Sequence, residues 1–203
     1  KISPIHQVFD SVCDLASKRG LRVTGSELVG LIPKSALIDA GKYYLKKQGR
    51  SLGVSESDIL ECAVQSLGLN DVSKFNSKEK IIEFAIEDKK DSLLHLSTDD
   101  LVQSISQNSP APGGGSVSAL AGALGAALLS MVSLLTYDKK EYFSRRTKMS
   151  RLGEMAHKYQ KRLKELVDED NHAFDSVMDA SRLPEKSKSE IKFKKQELFK
   201  AYK

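Results

Sequence analysis

Residues 110–137 read PAPGGGSVSALAGALGAALLSMVSLLTY, and the reading of this stretch decides the architecture. Pro110 and Pro112 disfavour helix for the residues before them, and three glycines and Ser116, a good helix cap, follow. From Val117 to Tyr137 there is no charged residue, and length alone would satisfy a membrane span. The run is nevertheless full of small residues (Ser118, Ala119, Ala121, Gly122, Ala123, Gly125), which let helix backbones approach closely. No aromatic belt or strong positive bias flanks it. A buried central helix of a soluble bundle is expected, with a membrane span as the alternative.

The glycine segment itself has two readings. Glycines allow positive φ and close approach of backbone N–H groups to a ligand, and a helix N-terminus favours an anion there. A flexible connector with a cap explains the same residues. Gly113-Gly114-Gly115-Ser116 ends in no Gly-Lys-Ser/Thr and fits no dinucleotide fingerprint, so neither phosphate-loop class applies.

Upstream, the pattern alternates. Val8, Val12, Leu15 and Ala16 recur at helical spacing, and Lys18-Arg19-Gly20 supplies a stop. Leu21-Arg22-Val23-Thr24 alternates as a short strand does. Ala36, Leu37, Ala40, Tyr44 and Leu45 predict a helix from Lys34, and Ser55 caps another carrying Ile59, Leu60, Ala63, Val64 and Leu67. The expected fold class is therefore an α+β fragment followed by an all-α part. The expected division is 1–86, a charged linker over 87–95, and a helical domain over 96–203. Leu183-Pro184-Glu185 marks a turn between two late helices. The chain starts at Lys1 without Met and stops inside helical pattern, so it is expected to be a piece of a longer one.

Downstream of the apolar run, Tyr159, Leu163, Leu166, Val167, Phe174, Val177 and Met178 share a helix face, and Asp170 lies on the same stripe. A carboxylate on an apolar face is costly unless paired, hydrogen-bonded or protonated. Burial also moves a carboxyl toward the range useful for proton transfer. Asp170 is thus either chemical or a structural carboxylate; periodicity leaves both open. Asp168 and Glu169 point elsewhere and are expected in solvent, as is His172, while His157 is a weak candidate. No His, Cys and carboxylate set has metal spacing, and no nucleophile–His–acid set assembles.

Composition narrows the classes. Only 6% of residues are aromatic and none is Trp, which suits aliphatic helix-on-helix packing. The net charge of +5 fits an acidic small substrate, nucleic acid or nothing in particular, and because Lys and Arg are mixed with Asp and Glu along the chain no concentrated nucleic-acid footprint stands out. Cys13 and Cys62 are far apart and expected as reduced core thiols of a cytoplasmic protein.

Ser109-Pro110-Ala111-Pro112-Gly113-Gly114-Gly115-Ser116-Val117-Ser118-Ala119, with Gly125-Ala126-Ala127-Leu128, Met131-Val132 and Leu135-Thr136-Tyr137, resembles the opening of folate cyclodeaminase domains. Leu166-Val167-Asp168-Glu169-Asp170-Asn171-His172-Ala173-Phe174 resembles the segment with the catalytic aspartate, and Arg182-Leu183-Pro184 the turn that follows. Residues 23–33 and Ser66-Leu67-Gly68-Leu69 resemble the end of a formimidoyltransferase C-terminal subdomain. The order is that of the formimidoyltransferase-cyclodeaminase family.

The resemblance implies an α/β transferase remnant joined to a helical-bundle cyclodeaminase. It implies conversion of 5-formimidoyltetrahydrofolate to 5,10-methenyltetrahydrofolate and ammonia, with Asp170 in the catalytic role. It also implies tetrahydrofolate, polyglutamylated or not, as substrate and carrier, no metal, and a homo-oligomer without nucleic acid or membrane. Gly113, Gly114, Gly115, Ser116, Arg145, Arg146 and Lys148 are the expected partners of an anionic folate. The transferase segment that carries that activity's catalytic His is not in this chain, so no residue here receives that role. A methenyltetrahydrofolate cyclohydrolase of the same helical family is the enzyme alternative, and a non-catalytic assembly or membrane piece is the other.

Overall fold

The computed structural model describes residues 3–86, 92–109 and 111–201. Residues 87–91 of the expected linker, and Pro110, lie outside the described residues. The elements are α1 (Ile5–Ser17), α2 (Lys34–Lys47), α3 (Glu56–Ser66), three one-turn helices α4 (Leu69–Val72), α5 (Ser77–Lys80) and α6 (Ile82–Ala85), and α7 (Thr98–Ile105). There follow α8 (Gly114–Tyr137), α9 (Arg146–Ser181) and α10 (Lys188–Ala201), with short 3₁₀ turns at Leu93–His95 and Lys140–Arg145. Two compact units result, residues 1–89 with 129–157, and residues 90–128 with 158–203.

The main core of the first unit lies between α2 and α3, where Leu37, Leu45 and Ile81 are fully buried. Burying each such side chain contributes about 1.5–3 kcal/mol. The α3 start is as its sequence requires: Ser55 Oγ accepts from Asp58 N–H at 3.1 Å, and the Asp58 carboxylate accepts from Ser55 N–H at 3.3 Å. Gly41 faces α3 so closely that a Cβ there would lie 2.1 Å from the Ile59 carbonyl oxygen.

Helix α1 packs differently from its expected stripe. Val8, Val12 and Leu15 are about half exposed, while Ile5 and Phe9 meet the core and His6 is buried. A polar seam explains the choice of face. The His6 ring stacks on Tyr43 at 4.3 Å, and Asp10 accepts from the Tyr43 hydroxyl at 2.7 Å, the Tyr44 hydroxyl at 3.1 Å and Lys47 Nζ at 2.7 Å. Burial pushes the Asp10 carboxyl up, but the Lys47 ammonium and the two phenols outweigh it and hold it below the ordinary carboxylate range. Burial, then the bond to Asp10, pushes the Tyr44 phenol far up.

The expected strand at Leu21–Thr24 does not form, so the α+β part of the expectation is corrected to helix-dominated. Leu21 N–H instead closes α1, donating to the Ala16 carbonyl at 2.9 Å across Gly20, whose φ is 72°. Ser26 is then pinned to the α3 end, its N–H on the Gly68 carbonyl and its hydroxyl on the Leu67 carbonyl. Alternation makes a strand only when a neighbour takes up its N–H and C=O groups. Among the described residues the one such pairing is an isolated parallel bridge between Ile32 and Ile81.

Helix α8 is continuous and long and apolar enough to cross a membrane, by length and composition only. It is not wrapped on all sides within this chain. Ser116, Ala123, Ser130 and Ser133 are buried, whereas Leu124, Leu128, Met131 and Leu135 are exposed. The expectation of a buried central helix therefore holds for one small-residue face.

Candidate functional site

The N-terminus of α8 meets the middle of α9 inside the second unit. Ser116 N–H donates to Asp170 Oδ2 at 2.8 Å, and Ser116 Oγ, itself buried, donates to the same oxygen at 3.0 Å and to the Val167 carbonyl at 3.0 Å. Asp170 Oδ1 accepts no hydrogen bond among the described residues. The carboxylate thus sits where the helix dipole favours a negative charge.

The local fold differs from its expected form in two ways. Helix α8 begins at Gly114, so Ser116 lies within its first turn and not at its cap, and Asp170 performs the capping from another element. None of Gly113, Gly114 and Gly115 has positive φ. At Gly115 the missing side chain is what matters: a Cβ there would stand 2.2 Å from Asp170 Oδ1 and 2.6 Å from Oδ2, whereas one on Gly114 would meet nothing within 4 Å.

Beside the carboxylate runs an open groove of about 520 Å³, lined by Gly115, Ser118, Ala119, Leu163, Leu166, Glu169, Asp170 and Ala173. Its walls are largely apolar, and Asp170 and Glu169 are its acidic groups. Glu169 pairs with Arg162, whose guanidinium holds the Glu169 carboxyl below its usual range. Gly122 packs on Leu163, with a Cβ there meeting both methyl groups at 3.3 Å, so small residues of α8 set the close approach to α9.

Asp170 itself is exposed in this chain, not buried as its stripe implied. Val167, one turn earlier, is 1% exposed, and Phe174, one turn later, is half-buried, so the stripe is real but Asp170 lies at its edge. Asp168 is not free in solvent. It accepts from Ser92 Oγ at 2.6 Å and Leu93 N–H at 3.0 Å, capping the turn Leu93–His95. That partner lies 76 residues away, and no local pattern signals it.

Arg145 and Arg146 belong to the first unit, whereas Asp170 belongs to the second. Arg146 Nε donates to the Tyr137 carbonyl at the end of α8 at 2.9 Å, and its guanidinium lies over the rings of Tyr137 and Phe143. Arg145 and Lys148 are exposed, as is His172. His157 Nε2 shares a 2.8 Å hydrogen bond with Ser130 Oγ. Among the described residues, no three His, Cys, Asp or Glu side chains form a group that could hold a metal ion.

Against this geometry stand the comparisons with known proteins. The family model described as formiminotransferase-cyclodeaminase matches residues 97–203, and that of the formiminotransferase domain matches residues 1–87. Formimidoyltransferase-cyclodeaminase of Gallus gallus is 38% identical over 192 residues, 93% of this chain and 35% of that protein. The Sus scrofa protein of the same name is 37% identical over 186 residues, 91% of this chain and 34% of that protein. A methenyltetrahydrofolate cyclohydrolase of Methylorubrum extorquens is 37% identical over 86 residues, 42% of this chain and 41% of that protein. The chain spans about a third of the length of the two longer relatives.

Proposed function

Because the chain belongs to the formiminotransferase-cyclodeaminase family, we propose that its helical region carries a folate cyclodeaminase site centred on Asp170. The observation that supports this most is the split between the two carboxylate oxygens: Oδ2 is held by Ser116, and Oδ1, beside an apolar groove, accepts no hydrogen bond among the described residues.

The substrate in this reading is 5-formimidoyltetrahydrofolate in its amidinium form. N10 attacks the amidine carbon and forms the new C–N bond. The Asp170 carboxylate takes the proton from N10 and returns it to the exocyclic nitrogen. The bond from the carbon to that nitrogen then breaks, ammonia leaves, and the methenyl cation remains. One proton moves between two nitrogens of the same molecule, so no metal or redox group is needed. Ser116 and Gly115 act as positioning residues, Gly113 and Gly114 form the folate-side edge, and no role is given to Arg146.

The same reading assigns residues 1–86 to the end of a transferase subdomain, 87–95 to a linker and 96–203 to the cyclodeaminase. The enzyme acts in the cytoplasm, in histidine degradation, as a homo-oligomer without nucleic acid or membrane partners. The transferase activity moves a formimidoyl group from formimidoylglutamate to tetrahydrofolate. The cyclohydrolase reading is favoured by the Methylorubrum extorquens relative, but the formiminotransferase domain match at residues 1–87 supports the cyclodeaminase.

The deciding experiment is Asp170→Asn in the full-length enzyme, followed by the absorbance of the methenyl product. Loss of about a hundred- to ten-thousand-fold is expected, the range for removing a general acid–base. Near-normal turnover would remove Asp170 from the mechanism. Hydrolysis of added 5,10-methenyltetrahydrofolate by the wild type, with no turnover of the 5-formimidoyl substrate, would favour the cyclohydrolase.

A further inference from the structure

We propose that residues 49–53 form a fixed joint on the hairpin of α8 and α9, holding the formiminotransferase-matched part of the chain to the cyclodeaminase-matched part through a face as well as through the chain. The first unit crosses the boundary between the two family matches, since it combines residues 1–89 with 129–157. The contact inside it is backbone against backbone. A Cβ on Gly153 would lie 2.8 Å from both Gly53 Cα and the Gly53 carbonyl oxygen, and 2.8 Å from Ser133 Oγ. A Cβ on Gly53 would lie 2.8 Å from Gly153 Cα and from the Ser150 carbonyl oxygen.

Two hydrogen bonds fix the register. Leu52 N–H donates to Ser150 Oγ at 2.9 Å, and the Tyr137 hydroxyl donates to the Gly49 carbonyl at 3.1 Å. The loop is shaped in advance: Gly49 has φ 67°, and buried Ser51 Oγ accepts from Gly53 N–H at 3.1 Å. On the helix side, Ser133 and Ser130 are buried and bonded within the hairpin, Ser133 Oγ to the Ser130 carbonyl and Ser130 Oγ to His157. Ser51, Ser130 and Ser133 are therefore satisfied on their own sides, and shape together with the two crossing bonds of Ser150 and Tyr137 provides specificity. Gly125 in α8 shows the contrast, since a Cβ there meets nothing within 4 Å.

This rests on the contact and not on the folate reading, and it is tested without an activity assay. Hydrogen exchange over residues 48–54 is measured in the full chain for wild type, Gly153→Ala and Gly125→Ala. Both variants add one methyl to a helical glycine. Gly153→Ala is expected to speed exchange in this loop by about tenfold or more, and Gly125→Ala to leave it unchanged. A folded Gly153→Ala protein with wild-type loop exchange would overturn the joint. Should that variant not fold, Ser150→Ala and Tyr137→Phe add no atoms. Each is expected to speed Leu52 or loop exchange about fivefold, as for one lost hydrogen bond, and unchanged rates in both would equally overturn it.

Discussion

The packing of α2 on α3 and the meeting of α8 with α9 at Asp170 use opposite means. Between α2 and α3, Leu37, Leu45 and Ile81 disappear from solvent, and order comes from apolar volume. At Asp170 the fixed contacts are one N–H, one hydroxyl and one carboxylate, beside an open groove and an α8 face that exposes Leu124 and Leu128. The first arrangement is sensitive to lost volume and indifferent to small shifts in charge. The second is sensitive to the position of one carboxylate and contributes little to stability. Fold and chemistry should therefore be separable by substitution.

The largest effect is expected on the packed side. Leu45→Ala should cost about 2–5 kcal/mol in denaturant unfolding of the full chain. Leu128→Ala, on the exposed face of α8, should stay within about 0.5 kcal/mol. Equal costs would show that α8 is as fully packed as the α2–α3 core.

Gly115→Ala should do the reverse. Its Cβ meets only the end of a flexible side chain, so the unfolding midpoint should barely move. The displaced Asp170 carboxylate should nonetheless lower the rate of methenyl formation about a hundredfold, the cost of an ångström-scale misplacement. A wild-type rate in this variant would show that the oxygen position does not matter.

Ser116→Ala removes the hydroxyl bond to Asp170 and keeps the N–H bond. A loss of about 1 kcal/mol, or about fivefold in rate, is expected, with kcat changing more than KM. Ser116→Thr should recover most of it. An effect confined to KM would make Ser116 a substrate contact.

The smallest effect concerns acid. The Asp10 carboxyl titrates below its unfolded value of 3.8, so its stabilisation is complete above that value and is lost as pH falls through the lower folded one. Asp10→Asn should flatten this acid limb of the thermal midpoint by no more than about 1 kcal/mol. A variant with the same slope below pH 4 as the wild type would place the acid-sensitive group elsewhere.

Which of these features could be read from sequence depends on the reach of the interactions. The caps and stripes of α2 and α3 are local, and Ser55, Leu37 and Leu45 announce them. Asp170 stands out in sequence as a carboxylate at apolar spacing, but that spacing does not show that it lies exposed at the edge of the stripe. The partner of Asp168 lies 76 residues off, and the cap of α8 is a side chain 54 residues away, so neither leaves a periodic trace. The alternation of Leu21–Thr24 is a local signal that a missing neighbour cancels. The half-exposed Val8, Val12 and Leu15 show the same limit from the other side, since an apolar stripe does not state which polar seam will compete with it.

The bridge between Ile32 and Ile81 has a topological consequence. Ile32 N–H donates to the Lys80 carbonyl at 2.9 Å, and Ile82 N–H donates to the Ile32 carbonyl at 3.0 Å, so two bonds close a loop of about fifty residues that encloses α2, α3, α4 and α5. Closure entropy grows only slowly with loop length, so such a clasp can be held by few bonds once the enclosed helices have packed. A shortened chain ending before Ile81 would keep the residues of all four enclosed helices yet lose both the fully buried Ile81 and the closure between its ends.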